Sequence, residues 1–249
     1  MARDVEALAA ALVAAAGRVV VLSGAGISVS SDIPAFRGSG GLWERYDPLE
    51  YAHIGAFLTR SREVWRMLRE LDAVLDEAHP NPAHHALAEL EDLGVVGTVV
   101  TQNVDGLHQE AGSRAVVELH GSRHSLTCLE CGAVVPREDV LEVVAQDEVP
   151  RCERCGGLLK PDVVFFGEPL PAGAIERARD EVRDCEVLVV VGTSAEVEPA
   201  ASLPTLAAAH GAAVWEVNPD PTCTDAVHVA LPAEDALPQV VELVRDRLS

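Results

Sequence analysis

Four of the six cysteines fall in two pairs, Cys128 and Cys131 in CLEC and Cys152 and Cys155 in CERC, with 20 residues between the pairs. A two-residue spacing folds into a tight knuckle that aims two thiolates at one ion, and two knuckles complete a tetrahedral four-sulfur site of the zinc-ribbon kind. Two disulfides or a pair of redox thiols would use the same residue types. A cytoplasmic setting argues against the first and the doubled spacing against the second. No ligand position is left for water, so one structural ion is expected. Cys185 and Cys223 stand alone and are expected to be small buried residues.

The other residues with chemical potential sit at the ends of apolar runs. In VLSGAGISVSSDIPAFRG (21–38), Gly24, Ala25 and Gly26 follow a strand-like segment. Such a turn either offers backbone N–H groups to a pyrophosphate or is an ordinary tight turn. Val29 stands where a third glycine would be, and no acid closes a following strand about 20 residues on, which disfavours a hydride-transferring dehydrogenase. Further polar motifs are TQNVDGLH (101–108), ELHGS (118–122), GTSAEVEP (192–199) and EVNPDPT (216–222). Asn103 and Asp105 serve equally well as turn formers. His120 follows the strand-like AVVEL and offers an imidazole suited to proton transfer near neutral pH. His84 and His85 on a helical pattern, and His108 at a loop end, read as structural.

These motifs need elements to hold them. Nearly continuous β-branched runs at 18–24, 97–103, 185–194 and 212–218 suit parallel strands covered on both faces. Helical patterns lie between them at 4–16, 82–94, 172–184, about 199–210 and 238–248. The alternation predicts an α/β fold with a doubly wound, Rossmann-like parallel sheet, whose strand ends converge on one crevice. Two segments break the rhythm: a helical insert, 39–79, and the cysteine segment, 124–157. The layout is therefore a Rossmann-like domain over 1–38, 80–123 and 158–249, with both inserts forming a smaller module around a zinc ribbon.

A formal charge of -21 excludes phosphate-backbone binding as the main task, so no nucleic-acid partner is expected. No apolar run approaches the roughly 20 residues of a membrane helix. The amino-terminal stretch carries Asp4 and Glu6 in place of a basic region. A cytoplasmic protein with no membrane partner is expected, and a monomer accommodates every motif. Among the 19 basic residues only Lys160 is lysine.

Taken in order, the glycine turn, SSDIPAFRG, TQNVDGLH, ELHGS, the four cysteines, KPDVVFFGE (160–168), GTSAEVEP and EVNPDPT resemble the sirtuin family of NAD-dependent protein deacylases, in its prokaryotic form. The resemblance implies that NAD is bound by Gly24, Ala25, Gly26, Ser28, Ile33, Phe36, Arg37, Gln102, Asn103, Asp105, Gly192, Thr193, Ser194 and Asn218. It implies a general base at His120, assisted by Asn103. Val164, Phe165, Gly167 and Glu168 would form the edge that pairs with an acyl-lysine peptide, although VVFF alone also reads as core. The implied reaction joins the acyl oxygen to the nicotinamide ribose, releases nicotinamide, and ends in free lysine and an O-acyl-ADP-ribose. An alternative on the same cofactor site is ADP-ribosyl transfer or NAD hydrolysis. The family usually has glycine at Asp32 and often an acid at Ala35. Members that prefer acidic acyl groups carry Tyr and Arg where this chain has Leu68 and Leu71, after Trp65, so acetyl or longer apolar acyl groups are the implied cargo.

Overall fold

The computed structural model describes residues 2–34 and 46–249, so Ala35, Phe36 and Arg37 lie outside the described residues. The chain runs through α1 (Ala2–Ala14), β1 (Val19–Ser23), a 3-10 helix over Ala25–Ser31, α2 (Pro48–Tyr51), α3 (Ile54–Thr59) and α4 (Ser61–Glu77). It continues with α5 (Pro82–Asp92), β2 (Val96–Thr101), α6 (Leu107–Glu110), β3 (Val116–Glu118), β4 (Gly121–Cys128), β5 (Val134–Pro136) and α7 (Leu141–Ala145). The last elements are β6 (Leu159–Val163), α8 (Ala172–Asp184), β7 (Val187–Val191), α9 (Leu203–Ala209), β8 (Ala213–Val217), β9 (Val227–Val229) and α10 (Ala233–Leu248). No helix among the described residues is long and apolar enough to cross a membrane.

Two compact units result, one from Met1–Ile33, His79–Leu119 and Ala172–Ser249, the other from Pro34–Ala78 and His120–Pro171. The larger unit is the doubly wound sheet that the sequence predicts. Its six strands are all parallel in the order β3-β2-β1-β7-β8-β9. Every residue of β1 (VVVLS) and β7 (VLVVV) is buried, which is why these strands read as continuous β-branched runs. Leu8 and Leu12 of α1, Leu87 and Leu90 of α5 and Val240, Val241 and Val244 of α10 share one core with these strands. From β1 the chain winds outward to β2 and β3 on one side, and from β7 to β8 and β9 on the other. The topological switch therefore lies between β1 and β7.

Two expectations are corrected. Helix α10 begins at Ala233, not at 238, and Pro238 lies inside it. A proline usually marks a first helical turn, but buried Ala233, Ala236 and Leu237 extend the apolar face upstream and carry the helix past it. The second concerns 120–123 and 158–171, which group with the smaller unit and not with the larger one. Here β6 pairs antiparallel with β4, Cys128 opposite Leu159 and Thr127 opposite Lys160, in a sheet of order β5-β4-β6.

The core of the smaller unit joins Phe57, Trp65, Met67 and Leu68 from the helical insert to Leu126, Leu159 and Phe165, and it includes Cys128 and Cys152. The Phe57 and Phe165 rings stack at 5.3 Å. Helix α4 is also tied to β4 and the turn after β5 by a quartet of charges. Asp72 pairs with Arg123 and Arg137 at 3.3 Å each, and Asp76 with the same arginines at 2.7 and 2.8 Å.

Candidate active site and metal centre

The carboxyl ends of β1 and β7 meet so closely that side chains are excluded. A Cβ on Gly24 would lie 2.7 Å from Thr193 Cβ, and one on Gly26 would lie 2.7 Å from Gly192 Cα. The amides of Gly24 and Gly26 donate to the carbonyls of Val191 and Gly192, at 3.1 and 2.7 Å. These two N–H groups are thus spent on joining two strand ends, and close approach, more than donation to phosphate, is what requires glycine here. Gly192 sits at φ +59°, and a Cβ there would collide with the Ile27 amide. Gly192→Ala is expected to cost about 3 kcal/mol or more, whereas Gly211→Ala, with φ +91° and open space, costs only the left-handed strain of about 1 kcal/mol. Denaturant midpoints check the pair.

Asp32 closes the 3-10 helix at φ 63° and ψ 15°. Its left-handed backbone explains why glycine suits this position, and an aspartate tolerates it at some cost. Asp32→Gly should raise stability by up to about 1 kcal/mol, read as a higher thermal midpoint.

Beneath this crossing the polar residues form one buried group. Ser28 donates its hydroxyl hydrogen to Asp105 Oδ2 at 2.7 Å and accepts from Asn103 Nδ2 at 3.2 Å. Asn103 Nδ2 also reaches Gly24 O at 3.2 Å, and its backbone amide donates to Thr101 Oγ1 at 3.1 Å. Asp105 Oδ1 accepts from the Leu107 amide at 3.0 Å. His84 Nδ1 accepts from the Asn81 amide at 3.3 Å, which leaves Nε2–H to face Ser28 Oγ at 3.4 Å. Ser23 Oγ lies 2.8 Å from His108 Nε2 and donates to Thr101 Oγ1 at 2.9 Å. The His84 and His108 rings meet edge-on at 5.0 Å.

Burial pushes His84 down to about 4, against the opposing pull of Asp105, and burial with His84 beside it pushes His108 down to about 3. Both imidazoles are therefore neutral in the fold, while in the unfolded chain they titrate near 6.5. The sign follows: the unfolded chain binds more protons below that value, so the stability tied to these groups is full above about pH 6.5 and is lost as pH falls toward 4. Unfolding free energy should drop by about 2 kcal/mol per histidine between pH 7.5 and 5. A flat dependence in chemical denaturation over that range would contradict it.

A second buried group holds the loops after β7 and β8. Glu216 is fully buried. Burial opposes its charge, but hydrogen bonds from Thr222, Asn218 and the Cys223 and Thr222 amides prevail and hold its carboxyl below the ordinary value. Asn218 Nδ2 donates to Glu216 Oε1 at 2.8 Å and to Thr193 O at 3.1 Å, and Gln102 Nε2 donates to Thr193 Oγ1 at 2.9 Å. Ile33 is buried and Ser194 exposed.

In the smaller unit the four cysteine sulfurs lie within 4.8 Å of one another, Cys128 Sγ 3.5 Å from Cys155 Sγ and Cys131 Sγ 3.7 Å from Cys152 Sγ. Tetrahedral zinc with Zn–S bonds of about 2.3 Å separates its sulfurs by roughly 3.8 Å, so the cluster fits one zinc ion. Each knuckle closes on itself, Gly132 N to Cys128 O at 2.9 Å and Gly156 N to Cys152 O at 2.7 Å. Cys185 is buried as expected, but Cys223 is only half-buried.

His120 opens the smaller unit and is half-buried, and its carbonyl accepts from the Val164 amide at 2.9 Å. Phe166 is bonded on both sides of the α2–α3 turn, its amide to Ala52 O at 2.7 Å and its carbonyl to the Ile54 amide at 3.0 Å. Phe165 is buried and Phe166 is 41% exposed, so of the two rings the one predicted to line the substrate edge belongs to the core. Glu168 turns inward, its Oε2 accepting from the Phe165 amide at 2.9 Å.

The Sir2 family model matches residues 24–199. The chain belongs to the Sir2 family. Among curated Sir2 relatives, an NAD-dependent protein deacylase of Pyrobaculum aerophilum is 48% identical over 240 residues, and one of Archaeoglobus fulgidus is 46% identical over 241 residues, each covering 95% of both chains. A Sir2 homologue solved with NAD matches at a TM-score of 0.87 and 42% identity, over 96% of this chain and 94% of the other. A Sir2 protein solved with a myristoylated histone peptide matches at 0.83 and 38% identity, over 100% and 99%.

Within this Sir2 fold the structure brings Gly24, Gly26, Ser28, Asn103 and Asp105 together, and sets Gln102, Gly192, Thr193 and Asn218 beside them through the contacts of Gly24 with Thr193 and of Gly26 with Gly192. The residues that sequence reasoning missed are Ser23, Thr101 and Glu216, which bond Gln102, Asn103 and Asn218 from behind, and Asn81, which bonds Ile27 O at 2.7 Å and Ser31 Oγ at 3.0 Å on either side of Ser28. For the first three the signal is a polar residue inside or closing a largely apolar strand, and for Asn81 it is the Asn-Pro start of the helical pattern.

Proposed function

We propose that this chain is an NAD-dependent protein-lysine deacylase that moves an acyl group from lysine to ADP-ribose. The observation that carries the reading is the Ser28–Asn103–Asp105 group at the switch point of the sheet, in a chain of the Sir2 family. Its composition suits a dinucleotide: an amide, a hydroxyl and one carboxylate beside a glycine turn where the ends of β1 and β7 cross without side chains. Bound NAD supplies an electrophilic ribose carbon and the hydroxyl that accepts the acyl group.

The chain's residues do the rest. Asp105, fixed by Ser28 and the Leu107 amide, accepts hydrogen bonds from the carboxamide, and Asn103 is held by Gly24 and Thr101 to face the ribose. Gln102 serves the nicotinamide and ribose end, Thr193 and Ser194 the phosphate and ribose, and Asn218 the adenosine ribose. Phe36 and Arg37 complete the cofactor set. His120 takes the ribose hydroxyl proton at its imidazole nitrogen. The zinc ion fixes the smaller unit and takes no part in the chemistry. The 164–168 segment pairs with main chain of an acyl-lysine protein or peptide. Apolar Leu68 and Leu71 leave nothing to neutralise an acidic acyl group, which favours acetyl or longer apolar chains, the kind of cargo in the myristoylated complex of the relative.

Mass spectrometry of an acetyl-lysine peptide incubated with and without NAD tests the reading. Peptide deacetylation, nicotinamide and acetyl-ADP-ribose should appear in equal amounts and only with NAD. Nicotinamide without deacetylation of acetyl or longer acyl-lysine peptides would overturn it in favour of ADP-ribosyl transfer or NAD hydrolysis.

A further inference from the structure

Lys160, the only lysine in a chain that otherwise uses arginine, is 12% exposed. Its Nζ donates to Pro161 O at 2.9 Å and Val163 O at 2.8 Å and pairs with Glu168 Oε2 at 3.1 Å, so all three ammonium donors have acceptors. It also lies 4.9 Å over the Phe165 ring. The same Glu168 oxygen accepts from the Phe165 amide. A compact ammonium can reach two carbonyls and a carboxylate at tetrahedral angles while covering a ring, whereas a planar guanidinium fork cannot.

The consequence lies in the main chain. In an extended segment alternate residues present their N–H and C=O to opposite edges. Val164 and Phe166 are bonded on one edge, to His120 and to Ala52 and Ile54. Phe165 faces the other, and there its amide goes to the Glu168 carboxylate and its carbonyl accepts from the Glu168 amide at 3.0 Å. We propose that Lys160 is a positioning residue for the substrate-pairing segment: it holds Glu168 on the Phe165 amide, which closes that donor to an incoming strand and sets the pairing register at the exposed Gly167. This rests on the deacylase reading for the role of the segment.

Lys160→Met, Lys160→Arg, Glu168→Gln and the Lys160→Met/Glu168→Gln double variant test it, with zinc content and thermal midpoint as controls of folding. Lys160→Met should raise KM for an acetyl-lysine peptide about tenfold, the scale of a charged hydrogen bond, with KM for NAD unchanged. Amide exchange at Phe165 should accelerate by a similar factor. Glu168→Gln should do the same, the double variant should add little because the two side chains act as a unit, and Lys160→Arg should fall between wild type and Lys160→Met. Unchanged Phe165 exchange in Lys160→Met, or equal rises in both KM values, would overturn the proposal. If Lys160→Met fails to fold, Glu168→Gln decides by the same readouts. A wild type that turns over no acyl peptide would overturn the deacylase reading, while the exchange measurement still judges the Lys160 clamp.

Discussion

Replacing His120 by alanine is expected to lower turnover of an acyl-lysine peptide by about 10²–10⁴-fold, the range that positioned proton transfer supplies. The fold should survive, because the bond that ties this position to Val164 is made by the His120 carbonyl and is kept whatever the side chain. Its neighbours are fixed independently: Leu119 donates to Thr101 O at 2.8 Å, and Gly121, at φ +74°, lies so close to Asp162 that a Cβ would strike its carbonyl. Gly121→Ala is therefore the contrasting variant, inactive through loss of structure. The measurement is steady-state turnover beside the thermal midpoint. Nicotinamide release, which precedes the proton transfer in the proposed sequence of steps, should fall less than formation of acyl-ADP-ribose. A His120→Ala protein with wild-type turnover would remove the general base from the mechanism.

What was legible in the sequence is what is local or periodic. The buried runs of β1, β2, β7 and β8 announce themselves because a parallel strand covered on both faces has no polar alternation, and the cysteine knuckles because their spacing is the geometry. What depends on pairing across the chain was not legible. Nothing in KPDVV says that it pairs with residues 121–128 and not with the large sheet, and a three-residue edge strand such as β9 is too short to carry a pattern. In VVFF the two phenylalanines are equivalent by type, and only the bonds of Val164 and Phe166 to one edge fix which ring turns inward. Gly24 and Gly26 read as a phosphate cradle by analogy with other nucleotide folds, but the reason they must be glycine is the pair Thr193 and Gly192, the latter 166 residues after Gly26, which no local window contains. The residues that brace the site, Ser23, Thr101 and Glu216, are isolated polar positions in largely apolar strands. Their partners, His108, Asn103 and Thr222, are what give them meaning.

Zinc removal should have the other large effect, confined to the smaller unit. Structural zinc sites bind with apparent free energies on the order of 10 kcal/mol, comparable to the whole net stability of a domain, roughly 5–15 kcal/mol. Here the ligands are not peripheral: Cys128 and Cys152 belong to the same core as Phe57, Trp65, Leu159 and Phe165. Losing the ion leaves four clustered thiols at the end of that core, and the Arg123, Arg137, Asp72 and Asp76 quartet, partly exposed to water, cannot replace it. The larger unit has its own core and no cysteine ligand. Chelation, or Cys152→Ser, is therefore expected to loosen the environment of Trp65 while Trp215 keeps its buried one, so in a Trp43→Phe background these two tryptophans should separate in fluorescence quenching. Deacylation should vanish, because His120 and the 164–168 segment both lie in the loosened unit, whereas ADP-ribose should still bind to the larger unit with reduced affinity. Metal analysis should return one zinc per chain before chelation. Full activity in a metal-free protein would show that the apolar core alone holds the unit, and the ion would lose its structural role.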